Sequence, residues 1–144
     1  MPASRRTVVI NRPIEVVFAF FTTPANDLRW RPHLKEVDES AVPRTGSRIR
    51  QVVQGPGGRG IEADIEVTAL TEPSRYAFQV VTGPARPRGE FVFTSRGAAA
   101  TEVTLELAAD FSGLKGLVLS RSVQKAMDGE TAALETAKAL GESE

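Results

Sequence analysis

The chain has 144 residues, 18 Lys+Arg against 18 Asp+Glu, one His, one Trp and no Cys. A chain of this length fits one domain, residues 1–144, able to bury roughly 70% of its unfolded surface. The missing cysteine excludes disulfides, thiolate metal sites and cysteine nucleophiles, the lone histidine excludes imidazole-rich metal sites, and balanced charge excludes the positive field that nucleic-acid binding relies on.

The opening MPASRRTVVI has no apolar signal core, and no run approaches the roughly 18 apolar residues of a membrane span. The expectation is a soluble, cytoplasmic protein. Residues 7–10 (TVVI) form a β-branched run that suits a strand. Pro13 then fits a first helical turn, with Ile14, Val17, Phe18 and Phe21 recurring at helical spacing. Thr23 followed by Pro24 starts a second short helix over residues 25–29, which Pro32 stops.

From here the hydrophobic period becomes two. Ile49, Gln51 and Val53 alternate with Arg48, Arg50 and Val52, and Ile61, Ala63, Ile65 and Val67 with Glu62, Asp64 and Glu66. Tyr76, Phe78 and Val80 follow, then Phe91 and Phe93, then Val103, Leu105, Leu107 and Ala109. Turn sequences at residues 43–46, 55–60, 72–75, 83–89 and 96–100 separate them, as an antiparallel sheet covered on one face requires. After Phe111 one long helix is predicted over residues 114–140, with Leu119, Val123, Ala126, Met127, Leu134 and Ala137 at helical spacing.

Few groups carry chemistry. Residues 55–60 (GPGGRG) match a G-x-G-x-x-G phosphate loop, but a strand rather than a helix is predicted after them, which favours a hairpin tip. His33 is either a general base or a loop histidine, with no serine elbow or cysteine to complete a triad. Trp30 suits a pocket mouth or a core equally. The aromatic row Tyr76, Phe78, Phe91 and Phe93 either lines a cavity or fills it. Opposite that row, Ala126, Gly129, Ala133 and Ala137 give the last helix a stripe of small residues that allows close approach or a void. Gln51 and Tyr76 are the polar residues in the inward phase, the makeup expected of a small-molecule pocket. Glu62, Asp64 and Glu66 lie in the opposite phase and are expected on a solvated face.

The order of elements and the stretch RPIEVVFAFFTTPANDLRWRPHL resemble the START-like or SRPBCC superfamily, and within it the polyketide cyclase/dehydrase-like proteins. The residues that carry the likeness are Pro13, Glu15, Val16, Val17, Phe18, Asn26, Asp27, Trp30 and Pro32, with residues 45–48 (TGSR) entering a strand. The resemblance implies an α+β helix-grip fold: a seven-stranded antiparallel sheet curled around a long C-terminal helix, with two short helices after the first strand. It also implies an internal cavity for hydrophobic or aromatic ligands and no family-wide catalytic set.

Three functions remain open. The first is a binder of a hydrophobic small molecule, monomeric or homodimeric and without cofactor or metal. Its ligand site comprises Trp30, His33, Gln51, Ile65, Tyr76, Phe78, Phe91, Phe93 and Met127. The second is a cyclase or dehydratase in the same cavity, with His33 or Tyr76 moving protons. The third is a protein-interaction domain with a filled core, presenting Arg48 and Arg50 beside Glu62, Asp64 and Glu66.

Overall fold

A computed structural model describes residues 2–83, 85–110 and 113–143, with the side chains of residues 56 and 113–119 excepted. Phe111 and the side chain of Leu119 lie outside the described residues. Strand β1 (Ala3–Ile10) is followed by helices α1 (Ile14–Phe21) and α2 (Pro24–Trp30). The run of strands is β2 (Leu34–Val37), β3 (Arg48–Ile49), β4 (Gln51–Gln54), β5 (Gly60–Glu62), β6 (Ile65–Thr71), β7 (Arg75–Val80), β8 (Arg88–Ser95) and β9 (Thr101–Ala108). Helices α3 (Gly113–Ala132) and α4 (Leu134–Ser143) end the chain.

Six strands form one antiparallel sheet in the order β1-β9-β8-β7-β6-β3, and β2, β4 and β5 form a second in the order β2-β4-β5. The expected seven strands therefore appear as nine segments, because two extended stretches bend from one sheet into the other. One bend is at Arg50, between β3 and β4, and the other at residues 63–64, between β5 and β6.

Asp64 holds the second bend. Its backbone N–H donates to Thr82 Oγ1 at 2.7 Å, its carbonyl accepts from Val81 N–H at 2.8 Å, and its carboxylate pairs with Arg48 at 3.3 Å. Only 16% of the Asp64 side chain is exposed. It thus leaves the solvated ladder expected for it, while Glu62 and Glu66 stay exposed. The first bend shifts the burial phase as well, so that Val52 is buried and Val53 only half-buried.

In α1 the inward residues are Val17, Phe18, Phe20 and Phe21. Pro24 occupies the first position of α2, where its missing N–H is harmless. Thr23 stands at the capping position but its hydroxyl donates to the Ala19 carbonyl at 2.7 Å, so it does not cap.

The last helix is interrupted at Ala133 rather than continuous. The break follows Gly129 and Thr131, whose hydroxyl donates back to the Asp128 carbonyl at 3.3 Å and competes with the helical ladder. Its buried stripe is Val123, Met127, Thr131, Ala133, Leu134 and Ala137, whereas Ala126, expected inside, is exposed. Among the described residues no helix is long and apolar enough to cross a membrane.

Side chains of α3 and α4 clasp the free edge of β1, which blunts an edge that would otherwise offer unpaired backbone. Gln124 bonds both the N–H (3.1 Å) and the carbonyl (2.7 Å) of Ala3, and Lys138 reaches the Val9 carbonyl at 2.7 Å. Glu142 accepts from Asn11 N–H at 2.8 Å.

Gly89 in β8 is required by close approach. A Cβ there would lie 2.4 Å from Phe78 Cζ and 2.6 Å from Leu107 Cδ2. The missing side chain lets the Phe78 ring lie over the strand. Gly89→Ala is expected to cost about 1–3 kcal/mol by overpacking, read as a lowered midpoint of urea unfolding with unchanged slope.

Candidate functional site

The inner face of the large sheet carries a layer of rings centred on Phe91. Phe91 stacks on Tyr76 (6.0 Å, 14°) and on Phe93 (6.1 Å, 17°), which strand pairing and alternation place on the same face. Phe21 from α1 lies 5.1 Å from Phe91 and meets Trp30 from α2 edge to face at 5.5 Å. Phe78 is half-buried at the margin, 6.3 Å from Phe91.

Trp30, Gln51, Ile65, Tyr76, Phe91, Phe93 and Met127 are all buried. Trp30 and His33, three residues apart in sequence, part company in space. The indole turns into the core, while the exposed His33 imidazole lies over Gly129 of α3, 3.6 Å from where a Cβ would be.

A polar network that spacing did not reveal adjoins the rings. Arg31, the residue ending α2, donates from Nε and Nη2 to the two carboxylate oxygens of Glu130 on α3, at 2.9 and 3.2 Å. Its Nη1 reaches Gln51 Oε1 on β4 at 3.1 Å and Asp27 Oδ2 at 3.5 Å. Asp27 Oδ1 accepts from Trp30 Nε1 at 3.3 Å. The side chain of Arg31 is 14% exposed, and those of Asp27 and Glu130 are 21% exposed each.

Two sequence signals were available for this network. Asp27, Trp30 and Arg31 stand three and four residues apart on one helix. Glu130 falls at helical spacing between Met127 and Leu134, a carboxylate in an otherwise apolar stripe.

Burial pushes the Asp27 carboxyl up from 3.8 to about 6, with Arg31 and the Trp30 N–H acting against the rise and Glu130 adding to it. For Arg31 burial opposes the charge, but Glu130 and Asp27 outweigh it and hold the guanidinium firmly charged. Burial, with Asp27 nearby, lifts the Tyr76 phenol well above the usual tyrosine range, so at neutral pH its hydroxyl is a donor.

That hydroxyl has no hydrogen-bond partner among the described residues. No wholly buried side-chain nitrogen or oxygen is left unpaired among them, so the Tyr76 oxygen touches accessible space.

A separate apolar cleft of about 300 Å³ opens where α1, the end of β1 and α4 meet, lined by Ile10, Arg12, Val16, Phe20, Asn26 and Gly141 among others. None of the expected ligand residues lines it. Residues 55–60 form the tip between β4 and β5, with Gly57 and Gly58 at φ 71° and 80°, and the chain continues into a strand, so the helix a dinucleotide loop needs is not there. Among the described residues no group of His, Asp and Glu is arranged to hold a metal ion.

The raised Asp27 value has a sign. Between about pH 4 and 6 the unfolded chain ionises this carboxyl while the folded one resists, so stability falls as pH rises through that window and is level above it. With 21% of the side chain exposed, the loss is about 1–2 kcal/mol. Asp27→Asn is therefore expected to be more stable than the parent at pH 7.5, the gain vanishing below about pH 4, as urea unfolding across pH will report. Trp30 gives the chain's one indole N–H resonance, and it donates to Asp27. Its ¹H–¹⁵N cross-peak should titrate with a midpoint near 6, persist in His33→Gln and cease to titrate in Asp27→Asn.

A family model described as polyketide cyclase / dehydrase and lipid transport matches residues 1–138. No curated protein matches the chain in sequence. A crystal structure from Thermus thermophilus is 23% identical with a TM-score of 0.74, covering 99% of this chain and 98% of that one. A START superfamily protein from Mycobacterium smegmatis is 18% identical with a TM-score of 0.63, covering 92% and 98%. The di-domain ARO/CYC BexL of the BE-7585A biosynthetic pathway is 21% identical with a TM-score of 0.62, covering 94% of this chain and 47% of that chain. These likenesses establish the shared helix-grip fold.

Proposed function

The chain belongs to the polyketide cyclase / dehydrase and lipid transport family, and from that premise we propose that it binds a hydrophobic, ring-containing small molecule between the large sheet and the C-terminal helices. The observation that carries the reading is Tyr76. It is a buried phenol, stacked on Phe91 within an aromatic layer, with a protonated hydroxyl that meets accessible space and no protein partner among the described residues. Such a donor is free to bond an acceptor on a ligand.

In this reading Tyr76, Phe78, Phe91 and Phe93 with Ile65 and Met127 supply the apolar walls. Trp30 closes one end, Gln51 orients Arg31, and His33 stands at the outer rim against Gly129. An apolar surface with a few convergent polar groups is the usual makeup of a small-molecule site.

A second reading, cyclase or dehydratase chemistry in the same place, draws support from one pairing. Burial raises the Asp27 carboxyl to about 6, close to neutral pH where a base is best poised, and keeps the Tyr76 phenol protonated as a donor. Here Tyr76 would donate and Asp27 accept, with His33 left at the surface. Turnover of a poly-β-keto thioester that survives in His33→Ala and fails in Asp27→Asn would support it.

Native mass spectrometry of freshly purified protein tests the first reading. The expected result is a retained small molecule, or an adduct formed with uncharged naphthalene-type compounds. An unchanged apo mass across such a panel would overturn it. Tyr76→Phe is expected to weaken a hydroxylated ligand about fivefold to tenfold while sparing its deoxy analogue, as calorimetric titration will show.

A further inference from the structure

We propose that Asp27 reads the polar end of the ligand and makes the site selective for a hydrogen-bond donor head group, such as a hydroxyl, over an anionic one. The inference rests on the binding reading above and adds the chemical class of what is bound. Three observations carry it.

The first is the division of Arg31. Its two short contacts go to Glu130, at 2.9 and 3.2 Å, and a third at 3.1 Å goes to Gln51. Asp27 receives only long contacts, 3.3 Å from Trp30 and 3.5 Å from Arg31. Charge-assisted hydrogen bonds to a carboxylate run at roughly 2.7–2.9 Å, and a carboxylate has about four acceptor sites. Asp27 is therefore under-supplied with donors in a place where water reaches little of it.

The second is the local charge. Around Asp27 the facing groups are Arg31 on its own helix, Glu130 from α3, neutral Gln51 from β4 and neutral Tyr76 from β7, with His33 outward across Gly129. Two carboxylates against one guanidinium leave the cluster net negative once Asp27 is ionised. A ligand carboxylate or phosphate would meet that excess in a poorly solvated setting, with Arg31 already committed to Glu130.

The third is the Tyr76 hydroxyl, the accessible tip of a residue only 6% exposed, unpartnered among the described residues, and within electrostatic reach of both Asp27 and Arg31. A ligand hydroxyl could donate to a carboxylate such as Asp27 and accept from a phenol such as Tyr76. A ligand anion could take only the second bond.

The test compares 2-naphthol, 2-methoxynaphthalene and 2-naphthoate at pH 7.5 by calorimetry and by the Trp30 indole N–H cross-peak. The expected order places 2-naphthol about tenfold tighter than either of the others, the difference one hydrogen bond to a charged group provides. Saturating 2-naphthol should also lower the midpoint of the indole titration, because a donor favours the ionised carboxyl. In Asp27→Asn the preference for naphthol over naphthoate is expected to shrink to about twofold. The wild-type chain offers the same comparison without a substitution, since the preference should narrow as pH falls from 7.5 to 5. Naphthoate binding as well as naphthol, or an unchanged preference in Asp27→Asn and at pH 5, would overturn the assignment while leaving the binding reading intact. No response to any of the three compounds would instead overturn the binding reading and this inference with it.

Discussion

The guanidinium of Arg31 is the point at which the upper part of the fold is joined. It sits at the end of α2 and reaches Gln51 on β4 and Glu130 on α3, residues far apart in the chain. A charge this sheltered is tolerated only when its donors are satisfied, and removing one partner leaves the others uncompensated. The short helix that would otherwise be a loosely attached cap is thereby fixed to both the small sheet and the C-terminal helix. At the far side the helices are held by a different chemistry, the side-chain clasp of Gln124, Lys138 and Glu142 on the edge of β1 and the fully buried Leu134 beneath.

Between these two attachments lies the aromatic layer, and its geometry follows from the strands that carry it. Tyr76 and Phe91 face each other across the β7–β8 pair, and Phe93 follows Phe91 two residues on, so the three rings share one face with near-parallel planes. Phe18 and Phe21 enter from α1 at steeper angles and fill the gaps that parallel rings leave. Ring packing alone would make this an ordinary core. The polar network placed at its edge, rather than the apolar content, is what distinguishes the region.

The strands and helix positions were legible because they depend on local period and punctuation. Val103, Leu105 and Leu107 alternate inward as spacing predicts, and Pro24 and Pro32 bracket α2. What escaped was non-local. The bend at Asp64 is fixed by Thr82, 18 positions later, and no window of the sequence contains that contact. The break at Ala133 falls in a segment whose apolar spacing continues undisturbed. Strand β2 has a single fully buried residue, Leu34, too few for a periodic signal. In the site the rings were legible and the charges were not. Asp27 marks only the family likeness, and Arg31 marks nothing, until Glu130, 99 residues beyond Arg31, is brought against them.

The balance of forces around Asp27 also says what kind of region this is. Core requirements would favour a neutral residue there, because the carboxyl is driven upward by burial and its two contacts are long. An amide of the same shape could accept from Trp30 without the desolvation. Arg31 does not need Asp27 either, since Glu130 supplies two better-placed oxygens. A carboxyl that the fold neither needs nor fully satisfies, set beside a phenol in the same condition, is a local departure from the self-consistency found elsewhere in the chain. Such departures concentrate where a protein meets something other than itself. Here the Asp27 carboxylate acts electrostatically on the Tyr76 phenol at the edge of the aromatic layer, so what meets one is felt by the other.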